Sequence, residues 1–243
     1  MPRVALFVTC LVDQLFPQVG EAAARVLERA GCDVVFPEGQ TCCGQAVFND
    51  GFRDEARALA RRHLDMFAAA DAVVAPSGSC AAMVREWYPR LFRDEPAQRA
   101  RAEDLAGHTY ELSEYLVRVR GVADLGARFD AAVAYHPTCH GLRGLGLREE
   151  PLRLLRAVRG LRLVPLGGAE ECCGFGGFFS ITFATLSSAM LATKLDALEA
   201  SGADVVTATD ASCLMHIAGG LERRRSRVRA MHLAEVLAGG AGP

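Results

Sequence analysis

Short apolar runs alternate with amphipathic stretches along the chain. VALFV, beginning at Val4, is a compact run of aliphatic and β-branched residues and predicts a strand. VGEAAARVLERAG follows, with apolar residues at helical spacing, and stops at Gly31. DVVF predicts a second strand, FRDEARALARRHLDMFAAA a longer amphipathic helix, and AVVAP a third strand closed by Pro76 and Gly78. The order then recurs. AAVAY predicts a strand, EEPLRLLRAV a helix, LRLVPL a strand, TFATLSSAMLATKLDALEA a helix, and DVVTA a final strand. Residues 84–130 link the two series, with helices predicted around EPAQRARAEDLA and TYELSEYLVRV. Strands alternating with helices imply parallel βαβ units, so the expected class is α/β.

The cysteines follow the same repetition. Cys10 is followed by 31 residues, then Cys42-Cys43, then 36 residues, then Cys80. Cys139 is followed by 32 residues, then Cys172-Cys173, then 39 residues, then Cys213. The neighbours agree as well: FVTC matches HPTC, TCCGQ matches ECCGF, APSGSC matches ATDASC, and ELSEYL matches HLAEVL. One spacing repeated in like contexts is an internal duplication, and a period of this length makes two pseudo-symmetric halves rather than a solenoid. The halves are expected at residues 1–127, with the connecting helices, and 128–243. Each patterned cysteine is expected at or beyond the carboxyl end of a strand, the edge where open α/β sheets bind ligands.

Composition narrows the chemistry. The chain has 243 residues, 51% of them apolar, and a net charge of -2. That charge gives no electrostatic reason to expect a nucleic-acid or membrane-surface partner. No apolar run approaches membrane-spanning length. VALFV reads as a first strand, not a secretory signal, so a cytoplasmic protein with reduced thiols is expected. The basic residues are almost all Arg, with Lys194 the only Lys, a bias that reads as genome composition. Nine cysteines in a reducing compartment point to metal or redox chemistry rather than disulfides.

Four convergent thiolates are soft ligands for zinc, copper(I) or iron–sulfur clusters. Zinc sites usually carry two tight cysteine knuckles, and neither quartet has them. A vicinal pair suits the wider iron–sulfur core, where neighbouring cysteines address different irons. Gly44 and Gly174 can adopt conformations closed to other residues, and Gly176 and Gly177 clear space beside the pair. Backbone N–H groups nearby can donate to the sulfur atoms and tune a reduction potential. Phe175, Phe178 and Phe179 either limit water access or pack as ordinary core.

The duplicated CCG segments, with FVTCLVDQ, GQTCCGQ, PSGSC, YHPTCH, CCGFGG, DASCL and MHLAEVL, resemble the cysteine-rich CCG-domain proteins. That family includes the B subunit of heterodisulfide reductase and the iron–sulfur subunit of glycolate oxidase. The likeness spans essentially the whole chain and is greatest to the small lactate-utilization iron–sulfur oxidoreductases. It implies one iron–sulfur cluster per half, of 4Fe-4S type by the cysteine count. The ligands it implies are Cys10, Cys42, Cys43 and Cys80 in one half and Cys139, Cys172, Cys173 and Cys213 in the other. It also implies electron transfer in the oxidation of a small 2-hydroxy acid, lactate to pyruvate, together with partner subunits. The pattern departs from heterodisulfide reductase at one place per half: Met83 and His216 stand where that enzyme has a further cysteine. His216 is therefore a further candidate iron ligand.

Other residues admit two readings each. Cys32 has no counterpart and is expected in the core. His136 and His140 bracket Cys139; either can move protons or hold a carboxylate, and His136 can equally serve only a backbone hydrogen bond. Arg143 can clamp a carboxylate or lie solvated. ERRRSRVR, from Glu222, can dock an acidic electron carrier or end a solvated helix. No dinucleotide fingerprint or P-loop is present, so hydride removal with NAD on this chain is not expected. Two other functions fit the thiols: a thiol-disulfide reductase acting between the clusters, and a zinc-binding scaffold.

Overall fold

The computed structural model describes residues 1–239. Its first half runs β1 (Arg3–Leu6), α1 (Cys10–Leu15), α2 (Pro17–Arg29), β2 (Asp33–Val35), α3 (Gln45–Asn49), α4 (Arg53–Met66) and β3 (Val73–Ala75). It continues through α5 (Gly78–Ala82), α6 (Tyr88–Leu91), α7 (Pro96–Gly107), β4 (Thr109–Glu111) and α8 (Leu112–Glu114). The second half begins with β5 (Ala132–Tyr135), α9 (Glu150–Ala157), β6 (Arg162–Val164), α10 (Phe179–Thr182) and α11 (Ala184–Ala200). It ends with β7 (Val205–Ala208), α12 (Ala211–Arg223), β8 (Arg229–His232) and α13 (Leu233–Leu237). Two four-stranded sheets result, ordered β2-β1-β3-β4 and β6-β5-β7-β8, and every pairing is parallel. The central strands β3 and β7 are wholly buried, as a parallel sheet covered on both faces requires.

Each half has a fourth strand that the periodicity did not predict. TYELSEYLVRV was expected as one helix, but Thr109–Glu111 pairs with β3 and the helix starts only at Leu112. The Glu111 carboxylate accepts hydrogen bonds from the backbone N–H groups of Ser113 and Glu114, which caps the helix at that point. His232 caps α13 in the same way at the end of β8. The match between ELSEYL and HLAEVL is thus one strand-to-helix corner built twice. The segment expected to link the halves also completes the first sheet.

One core joins the two halves. It contains Val4 and Leu6 of β1, Val26 and Leu27 of α2, Val133 of β5, and Leu233 and Val236 of α13. Helices α2 and α13 pack against each other within it. Separate cores cover the outer faces: Phe7, Phe67, Tyr88 and Phe92 in the first half, and Leu191, Leu195, Ile217 and Leu221 in the second. Cys32 is buried in the shared core, as expected. Among the described residues, no helix is long and apolar enough to cross a membrane.

Candidate functional site

The strand order reverses between β1 and β3, and again between β5 and β7. Doubly wound sheets open a crevice at such a reversal. Cys10 is the first residue of α1, after β1, and Cys80 lies in the first turn of α5, after β3. Cys42 and Cys43 lie in the loop between β2 and α3. Cys139 follows β5, Cys213 lies in the first turn of α12, and Cys172 and Cys173 lie in the loop between β6 and α10. All eight line one cavity of about 310 Å³ between the halves. All are free thiols.

The thiols of each quartet touch in a chain, and both quartets have the same polarity. Cys10 and Cys43 donate hydrogen bonds to Cys42, which holds its thiol down to about 2. The Gly44 N–H adds a third donor at 3.3 Å from Cys42 Sγ. The same contact with Cys42, reinforced by burial, pushes Cys10 and Cys43 upward. In the second half Cys139 and Cys173 donate to Cys172, also held down to about 2, and the Gly174 N–H lies 3.4 Å from its sulfur. Gly44 (φ +85°) and Gly174 (φ +89°) are left-handed, which turns each N–H back toward the sulfur. The donor set is soft, preorganised and partly ionised, and it fits an iron–sulfur core in each half.

The matching registers also locate differences. A Cβ at Gly44 would meet the carbonyl oxygen of Ala56, and one at Gly174 that of Ser187, so α4 and α11 correspond. Seven residues further on, His63 in α4 corresponds to Lys194 in α11. FVTC and HPTC likewise make Phe7 the counterpart of His136. Beneath the first quartet the His63 ring packs 4.6 Å from Phe7 and 4.5 Å from Phe67, and burial holds its pKa down to about 3. Beneath the second, Lys194 is buried, and its Nζ donates to the carbonyls of Gly168 at 2.6 Å and Ala169 at 3.1 Å. Burial lowers the Lys194 pKa. Burial, then the Lys194 charge, holds the His136 pKa down to about 4. In the sequence Lys194 stands out only as the sole Lys of an Arg-rich chain. Its place among Leu191, Leu195 and Leu198 on one helix face was the available signal that it is buried.

The other candidates divide. His140 lines the cavity, where the Gln45 amide from the opposite half donates to its Nε2 at 3.3 Å. Arg143 is outside the cavity lining and donates to the Glu170 carbonyl at 3.0 Å. His216 is also outside the lining, with its Nε2 3.3 Å from Ser187 Oγ. Met83 is buried in the first half's outer core. Phe175, Gly176 and Gly177 line the cavity, whereas Phe178 is 52% exposed and seals nothing. ERRRSRVR runs from the end of α12 to β8, and Arg224 within it pairs with Asp196 and Glu199.

Asp210 was missed by the sequence reading. It occupies the position of Ser77 in the matched motifs and is buried between the halves. Its carboxylate accepts from the hydroxyls of Ser77 and Ser79, both at 2.7 Å, and from the Ser79 N–H at 3.1 Å. Asp210 lines the cavity, and none of the lining residues is Arg or Lys.

The family model of the CCG cysteine-rich domain matches this chain twice, over residues 4–85 and 133–218, one match in each half. The chain belongs to the CCG cysteine-rich family. Within that CCG family it is similar along its length to proteins named Lactate utilization protein A. The one from Exiguobacterium sp. (strain ATCC BAA-1283 / AT1b) is 48% identical over 239 residues, covering 98% of this chain and 97% of the relative. The one from Bacillus subtilis (strain 168) is 46% identical over 235 residues, covering 97% and 98%. Among solved structures, a putative Asp/Glu racemase from Yersinia pestis covers 98% of this chain and 96% of its own. Its TM-score is 0.37 at 8% identity, too low to bear on function.

Proposed function

We propose that this CCG protein is the iron–sulfur redox subunit of a lactate-oxidising system. Each cysteine quartet holds one cluster, of 4Fe-4S type by the four-thiolate count, and partner subunits deliver and remove electrons. The observation that carries this reading is the convergence of eight thiols, as two like quartets, on one cavity. The names of the relatives supply the metabolic context. Oxidation of L-lactate to pyruvate releases two electrons and two protons. Clusters in the two quartets would supply two one-electron acceptors, matching that stoichiometry.

The cavity lining argues for division of labour. A 2-hydroxy acid is an anion, and the lining offers it the Asp210 carboxylate and no Arg or Lys. The organic step therefore belongs to a partner, and this chain carries the electrons. The protein's own groups hold the thiolates in place: Gly44 and Gly174 through N–H donors, and Asp210, Ser77 and Ser79 by tying the two halves together across the cavity. Anaerobic purification with iron and acid-labile sulfide quantitation, followed by electron paramagnetic resonance, tests the reading. Iron and sulfide in both halves are expected; zinc without sulfide would sink it.

The position of the cavity between the quartets also favours a second reading, reduction of an organic disulfide there. Incubating the dithionite-reduced protein with a disulfide substrate separates the two: no thiol product removes this alternative.

A further inference from the structure

The quartets match in their cysteines but differ in what lies directly beneath them. Phe7 occupies this position in the first half and His136 in the second, and both are fully buried. Neither ring nitrogen of His136 has a hydrogen-bond partner. One of them groups with the sulfur atoms of Cys173 and Cys213, all within 4.8 Å of one another. A buried imidazole with neither nitrogen in a well-formed hydrogen bond carries a desolvation cost. Phenylalanine fills the same place in the first half without that cost, so the polar ring in the second half calls for a ligand. The other histidines near this quartet already have partners: Ser187 Oγ lies beside His216 Nε2, and the Gln45 amide donates to His140 Nε2.

We infer that His136 is a fifth protein ligand of the second metal centre, binding iron through the ring nitrogen that faces Cys173 and Cys213. The second centre is then held by four thiolates and one imidazole, and the first by four thiolates alone. Imidazole is an accepted iron ligand beside thiolate, and the neutral ring adds a donor without adding charge. The two centres are consequently inequivalent, although their cysteine spacings are nearly the same. This inference rests on the iron–sulfur reading above.

The test is pulsed electron paramagnetic resonance on the full chain. The protein is grown with nitrogen-15-labelled histidine, loaded anaerobically with iron and sulfide, and reduced with dithionite. The expected spectrum contains the hyperfine coupling of an iron-bound histidine nitrogen. That coupling is lost in His136→Phe, which copies the first half, and retained in His216→Phe. His136→Gln, which keeps a polar side chain, serves as a second variant should the Phe form fold poorly. Retention of the coupling in the His136 variants overturns the inference. So does a wild type fully loaded with iron and sulfide that shows no bound nitrogen, a result that leaves the iron–sulfur reading standing. A wild type that takes up no iron or sulfide removes both.

Discussion

At the scale of single residues, the chemistry divides by burial and by neighbours. Two neighbouring thiols and one backbone N–H hold the Cys172 pKa down, while Cys32 is a small hydrophobe in the shared core. Cys172→Ser should therefore lose roughly half of the bound iron, one of two like sites, while Cys32→Ser should keep it all. Iron assay of the purified variants is the check. His232 shows the pH consequence of burial away from the cysteines. Burial holds its pKa down to about 4 from an ordinary 6.5, while its Nδ1 accepts from the Ala234 N–H. The folded state favours the neutral ring, so this contribution is present above the unfolded pKa and is lost as pH falls. Between about pH 6.5 and 4 the loss is up to about 1.4 kcal/mol per pH unit. His232→Asn keeps a good helix cap and removes that slope. Urea unfolding at neutral and acid pH should show a smaller acid loss in the variant; an equal loss would refute the assignment.

At the scale of elements, the two CCG turns look alike in sequence and differ in tolerance. Both glycines are left-handed, which alone costs a side chain about 1–2 kcal/mol. At Gly44 an added Cβ would lie 3.5 Å from the Ala56 carbonyl, ordinary contact; at Gly174 it would lie 2.6 Å from the Ser187 carbonyl, a clash. Gly44→Ala should lower thermal stability modestly and keep its cluster. Gly174→Ala should displace α11 and empty the second quartet, which comparison of melting temperature and iron content would reveal. The need for glycine after each cysteine pair was legible, because the motif itself repeats. The difference between the turns was not, since it depends on how closely a distant helix packs on each. Strands β4 and β8 were illegible for another reason. They are three and four residues long, are polar in part, and run straight into helices, so no period accumulates.

At the scale of the whole molecule, the halves are duplicated in sequence but not independent in structure. The largest core takes side chains from both, and α2 packs on α13 across the boundary. Asp210 accepts hydrogen bonds from Ser77 and Ser79 over the same boundary, and Arg118 links Glu114 to Glu150 at its rim. Residues 1–127 or 128–243 expressed alone would expose the shared apolar face to water. Each piece should lack a cooperative thermal transition by circular dichroism, and the mixture should recover one. A sharp transition in either piece alone would contradict this. The same arrangement puts both quartets on a single cavity.

The sequence alone determined the α/β alternation, the duplication and the choice of eight cysteines out of nine. These are matters of period, spacing and local context, all carried by neighbouring residues. Only the tertiary structure decided that Asp210 bridges the halves. It also placed Lys194 and His136 beneath the second quartet, where the first has His63 and Phe7. The physical reason is common to all of these. Burial and the approach of residues remote in the chain set which side chains are charged, satisfied or left seeking a ligand, and neither quantity exists until the sheets and helices have packed.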